Sequence, residues 1–233
     1  WGGPVSHSGL MDDLYLYGRA LSAAEVAVLA GAANRTSAVY ALSEKSASVQ
    51  PLAAIFKTRR ATLAIDTRGQ VASLRDRESG RELLAGPQPM VCARLKDGRR
   101  ISARAVTRRG NTLTFDFARG NGSAVIDVEA RRDFFTFAVR SLTLTNAESL
   151  TFCALPVGVT KYRGGMANML SDDADAVCLR GFDLPVEMDI RGNVLCVTST
   201  EKHGLIGWRA GLAAGPQAEV PAMLRALAEY SGA

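Results

Sequence analysis

From residue 61 onward the sequence breaks into short runs in which apolar and polar side chains alternate, many of them closed by a polar turn that carries glycine. Leu113, Phe115 and Phe117 occupy every second place, and Val125, Ile126 and Val128 fill the next such run. A period of two sends successive side chains to opposite faces of a strand, so one face can be buried and the other wetted. The separators are Asp66-Thr67-Arg68-Gly69, Asp76 to Gly80, Asp97-Gly98, Arg109-Gly110-Asn111 and Arg119-Gly120-Asn121-Gly122. These residue types reverse a chain tightly. The spacing predicts strands at 62–65, 71–74, 90–96, 101–107, 112–118, 123–130, 134–141, 148–154, 193–199 and 204–209. With no helices interleaved among them, the pattern argues for an antiparallel sandwich. A dinucleotide-binding α/β reading needs strand–helix–strand units and a glycine fingerprint after a strand, and the sequence carries neither.

The stretch 158–192 is less regular and long for a connection, which marks it as a binding-loop candidate, with strand character at Ala176 to Leu179 and Val186 to Ile190. After Pro216, Met223, Leu224, Leu227 and Ala228 follow helical spacing, with Pro221 in the first turn. Near the other end Ser22 and Glu25 form a capping box for a short helix that Gly31 ends. The organisation expected is a strand and helix within 1–31, a connector over 32–54, a β-sandwich over 55–215 and a helix over 216–233.

Charge narrows the range of partners. The 28 Lys and Arg exceed the 23 Asp and Glu by only five, a thin excess for nucleic-acid binding. Although Arg100, Arg104 and Arg108 share one parity of an extended run, Ile101, Ala103 and Val106 break its alternation, which reads as a solvated face. No nucleic-acid partner is expected. The four cysteines, at 92, 153, 178 and 196, lie in apolar runs without a C-x-x-C pair, which reads as buried free thiols, with one bridge between adjacent strands as the alternative. Two histidines without Cys-His spacing give a structural zinc site no basis. No apolar stretch reaches the ~20 residues that span a bilayer. The chain begins at Trp1 without an initiator Met, so more sequence is expected upstream, with any export signal in it.

Two segments bear a family resemblance. Met11-Asp12-Asp13-Leu14-Tyr15-Leu16-Tyr17-Gly18-Arg19-Ala20-Leu21-Ser22-Ala23-Ala24-Glu25-Val26 resembles the closing strand and short helix of laminin-G-like, concanavalin-like jellyroll domains. That resemblance implies the end of a jellyroll whose earlier strands lie outside the chain, and calcium as a ligand that Asp12 and Asp13 would help hold. Leu63 to Leu84, with Asp66-Thr67-Arg68-Gly69 and Ser79-Gly80-Arg81-Glu82 as its turns, is similar to the opening of the mutarotase-like sandwiches that precede catalytic domains in polysaccharide-processing enzymes. The fold class expected is therefore mainly β, an antiparallel β-sandwich of the galactose-mutarotase-like supersandwich kind with short helices at both ends. The C-terminal helix would lead to a further domain. The resemblance implies an extracellular or periplasmic, bacterial setting.

The candidate site residues follow from sugar chemistry. Glycosidic cleavage needs two carboxyl groups, about 5 Å or ~6.5–9.5 Å apart. The main acidic cluster is Asp172, Asp173, Asp175, Glu187 and Asp189, with His203 as a possible base in a polar turn. Solvated loop acids are the plainer reading of that cluster, and Asp172, Asp173 and Asp175 together would suit a hard cation such as Ca2+. No other cofactor is expected. Sugar rings stack on exposed aromatic faces while charged groups fix their hydroxyls, which points to Tyr162 between Lys161 and Arg163, and to Trp208 beside Arg209. The function expected is a non-catalytic module of an extracellular carbohydrate-active enzyme, a glycoside hydrolase, with polysaccharide or oligosaccharide and neighbouring domains of its own polypeptide as partners. The alternatives are a catalytic hydrolase or lyase sandwich using acids of 172–189, and a structural or adhesive surface module.

Overall fold

Leu113, Phe115 and Phe117 are all buried, while Thr112, Thr114 and Asp116 between them are half-buried or exposed, so the alternation read from sequence becomes one core face and one outer face. The same division repeats in a computed structural model that describes residues 51–232. The expected jellyroll strand and helix, with Asp12 and Asp13, lie outside the described residues.

Four strands form the smaller sheet: β1 (Leu52–Lys57), β2 (Ala61–Asp66), β3 (Gln70–Asp76) and β4 (Gln88–Pro89), paired in that order. Twelve more follow: β5 (Cys92–Leu95), β6 (Arg100–Arg109), β7 (Thr112–Phe117), β8 (Ser123–Ala130), β9 (Phe135–Leu142), β10 (Ala147–Pro156), β11 (Tyr162–Gly164), β12 (Met169–Ser171), β13 (Asp175–Gly181), β14 (Glu187–Arg191), β15 (Val194–Thr200) and β16 (Arg209–Pro216). They make one curled sheet in the order β11-β12-β13-β16-β9-β8-β7-β6-β5-β10-β15-β14, antiparallel at every pairing. The protein is mainly β, and the two sheets share one apolar core.

That core is built from Leu63 and Ile65 of the small sheet against Phe115, Phe135, Phe137 and Phe152 of the curled one, all fully buried. Each such side chain contributes about 1.5–3 kcal/mol relative to exposure. The turn after β2 is held by Asp66, whose Oδ1 accepts from the backbone N–H of Arg68 and Gln70, both at 2.9 Å. Gly69 closes it at φ +75°, and a Cβ there would also press to 3.1 Å from the Phe115 ring.

A second apolar cluster lies on the other side of β13 and β16, where helix α1 (Val220–Ser231) docks. Met223 and Leu227 are buried against Ala176, Cys178 and Ala213, and the Phe134 and Phe182 rings meet Tyr230 at centroid distances of 5.4 and 5.1 Å. The apolar stripe of the C-terminal helix is thus covered by the sandwich itself. Gly232, left-handed at φ 81°, caps the helix.

About half of the region 158–192 is strand, supplying β11 to β14. The expected strand at 204–209 is replaced by a 3-10 turn at Glu201–His203 and a bend through Leu205 to Gly207, and the strand runs instead over Arg209–Pro216. Trp208 anchors the bend by donating from Nε1 to the Gly204 carbonyl at 2.6 Å. Among the described residues no helix is long and apolar enough to cross a membrane.

Candidate functional site

Five adjacent strands, β14, β15, β10, β5 and β6, present polar side chains on the face turned away from the core. Register sets them in two rows. Glu187 pairs with Thr198, Thr198 with Thr151, Thr151 with Cys92 and Cys92 with Ser102. Beside this row, Thr200 pairs with Ser149, Ser149 with Arg94 and Arg94 with Arg100. At a strand spacing of about 4.8 Å the first row spans roughly 19 Å. Between these positions Leu195, Val197, Leu150, Phe152, Ala93 and Leu95 point the other way into the core, so the strand period itself aligns the polar set.

The rows, Ser102 excepted, line an open groove of about 1160 Å³. Thr151 and Thr198, both buried, share a hydroxyl hydrogen bond of 2.9 Å at its centre. Arg94 grips Glu148 through two bonds of 2.7 and 3.0 Å, and Lys96 holds Glu201 at 2.5 Å. Arg100, Lys202 and Glu187 also line the groove and have no ion-pair partner among the described residues.

The acids singled out in the sequence fall in different places. Glu187 lines the groove, while Asp189 lies on the same edge strand, 2.7 Å from Arg191. Asp172 and Asp175 sit at the turn between β12 and β13, where Arg81 binds them at 2.6 and 2.9 Å. Arg81 and two backbone N–H groups hold Asp172 down to about 2, against the desolvation that opposes them. Burial pushes Asp175 up, and Arg81 pulls it back. Asp173 is exposed and is lowered by Lys161 and Tyr162, which bind it at 2.5 and 2.8 Å. Among the described residues no group of three or more His, Cys, Asp or Glu side chains is placed to hold a metal ion. His203 is exposed on the 3-10 turn next to Lys202.

The aromatic candidates are also engaged. Tyr162 is half exposed, and the Lys161 ammonium stands 5.1 Å from its ring centroid, over one face. Arg163 donates to the Ile190 carbonyl at 2.5 Å. Trp208 packs against the core, and Arg209 donates from Nη2 to Asp183 Oδ1 at 2.8 Å. Neither group lines the groove.

Apart from Glu187, the groove residues were not apparent as a site in the sequence. Each polar pair, Cys92 and Arg94, Ser149 and Thr151, Thr198 and Thr200, has the parity of an outward strand face. Only the topology brings pairs from separate parts of the chain into one row.

All four cysteines are free; Cys153, Cys178 and Cys196 are buried and Cys92 is half-buried in the groove wall. No protein-family model and no curated protein matches the chain.

Proposed function

We propose that residues 51–232 are a non-catalytic β-sandwich module of an extracellular carbohydrate-active enzyme and that the module contacts glycan through the groove over β14, β15, β10, β5 and β6. The observation that carries this reading is the pair of in-register polar rows, which offer hydroxyl, guanidinium and carboxylate groups along a track rather than at one enclosed point. A chain of sugars needs such a distributed set of donors and acceptors. The resemblance of Leu63 to Leu84 to the opening of mutarotase-like sandwiches supports the same reading.

The non-catalytic part rests on the state of the acids. A general acid must hold its proton near the working pH. Asp172 at about 2 and Asp173, also lowered, are ionised well below neutrality, and Asp175, which burial raises, is bound by Arg81 and lies outside the groove. Glu148, Glu201 and Asp189 each face a cation, which leaves Glu187 as the one unpaired acid among the described groove residues, where glycosidic cleavage needs two carboxyl groups. The test is calorimetric titration of the 233-residue chain with a panel of neutral and acidic oligosaccharides, alongside a reducing-sugar assay on the same panel. Binding without turnover is the expected result. Turnover of any member overturns the non-catalytic reading, and silence across the panel overturns glycan contact.

A further inference from the structure

We propose that the groove selects acidic glycans, those bearing uronate carboxylates or sulfate esters, with Arg100 and Lys202 as the groups that bind the anion; this rests on the groove being the glycan contact. Two features of the groove point this way, and a third opposes it with a definite sign.

The first is what the lining lacks. Among the described residues that line it, none is aromatic. Without a ring to stack on the apolar face of a sugar, recognition falls to hydrogen bonds and charge. The floor supplies hydroxyls at Ser149, Thr151, Thr198 and Thr200, but Thr151 and Thr198 are buried and bonded to one another. The charged rim is left to discriminate.

The second is the distribution of paired and unpaired charge. Glu148 and Glu201 are neutralised by Arg94 and Lys96, and Arg191 by Asp189. Arg100 and Lys202 are exposed and have neither a hydrogen bond nor an ion pair from their side chains among the described residues. A neutral glycan offers both only uncharged hydroxyl acceptors, whose hydrogen bonds are weaker than charge-assisted pairs. A carboxylate or sulfate matches the planar fork of Arg100 and accepts the ammonium protons of Lys202.

The third is the one opposing charge. Glu187 stands at the end of the first row with no cation beside it among the described residues, so it repels an acidic ligand and its removal has a definite sign.

The experiment measures affinity for hexamers of galacturonate and of neutral galactose, at low and at high sodium chloride, with the full chain and three variants. The acidic hexamer is expected to bind more tightly and to weaken as salt rises, because the contacts are exposed and screened within about 10 Å at 0.1 M. Arg100→Gln with Lys202→Gln is expected to cost about tenfold or more for the acidic hexamer and nothing for the neutral one. Glu187→Gln is expected to tighten the acidic hexamer alone. Arg104→Gln with Arg109→Gln, two exposed arginines of β6 that do not line the groove, is expected to change neither. Equal binding of both hexamers, unaffected by the Arg100 and Lys202 changes, overturns acidic selection and leaves the groove as a glycan contact. An equal loss from the Arg104 and Arg109 pair overturns the assignment to these two residues. Binding of neither hexamer overturns both readings together.

Discussion

Arg163 on β11 donates from Nη2 to the main-chain oxygen of Ile190 on β14 at 2.5 Å, and these strands are the two opposite ends of the twelve-stranded sheet. Nearby, the buried Asn168 donates from Nδ2 to the carbonyls of Leu179, at 2.6 Å, and Cys196, at 3.3 Å. The curl is therefore fastened by side chains where the backbone ladders end. Asn168→Ala is expected to cost more than Arg163→Ala, since it strips buried carbonyls of a donor and places Ala at φ 48°, where Asn is better tolerated. Losses of about 2–3 and about 1 kcal/mol in urea unfolding are the expected values. A larger loss from Arg163 would contradict the order.

The groove floor makes a second prediction. Thr151→Val or Thr198→Val alone leaves a buried hydroxyl without its partner and is expected to cost about 1–2 kcal/mol. The double variant should recover part of that, giving a coupling of about 0.5–1.5 kcal/mol in a double-mutant cycle. Additive losses would mean that the 2.9 Å contact contributes nothing.

Acid sensitivity follows from Arg81. Asp172 is lowered from 3.8 to about 2 in the folded protein, so its contribution is present above about pH 4 and is lost as pH falls toward 2. Arg81 is partly exposed, and screening limits this to about 1 kcal/mol. Asp175 is raised by burial, so its contribution has the opposite sign: present at low pH and lost as pH rises through its folded value. Arg81→Gln should flatten the fall in urea midpoint between pH 4 and 2, and an unchanged slope would remove Asp172 from the acid response.

The thiols differ in reach. Burial pushes Cys178 up to about 12 and Cys196 up to about 11, and raises Cys153 as well. Thiolate is the reactive form. Iodoacetamide at neutral pH is expected to label Cys92 alone in the folded chain and all four after unfolding, read by peptide mass; early labelling of Cys153 would contradict the packing.

How much of this was legible beforehand depended on side-chain type. Strands such as Thr112–Phe117 and Ser123–Ala130 announced themselves because β-branched and aromatic residues alternate with polar ones. Arg209–Pro216 did not. Its Gly and Ala residues carry no strand signal, yet they are what its position requires, because a Cβ on Gly211 would run into Phe182 and Leu227 beneath the helix. The neighbouring Leu205-Ile206-Gly207-Trp208 had the apolar look of a strand and instead forms a bend pinned by the indole N–H. Conspicuous groups drew attention to Tyr162, Trp208 and Asp172, and the structure engages each with a local partner. The groove is made of ordinary Ser, Thr and Arg residues whose meaning lies in strand order, and a single sequence does not show that order.

Two-dimensional amide NMR of the full chain during titration with galacturonate hexamer tests the glycan-binding groove most directly. Shifts confined to the groove, at Glu187, Thr198, Thr151 and Cys92 with Thr200, Ser149, Arg94, Arg100 and Lys202, are the predicted result. Shifts centred on Lys161 to Arg163 or on Trp208, with the rows unmoved, would contradict it.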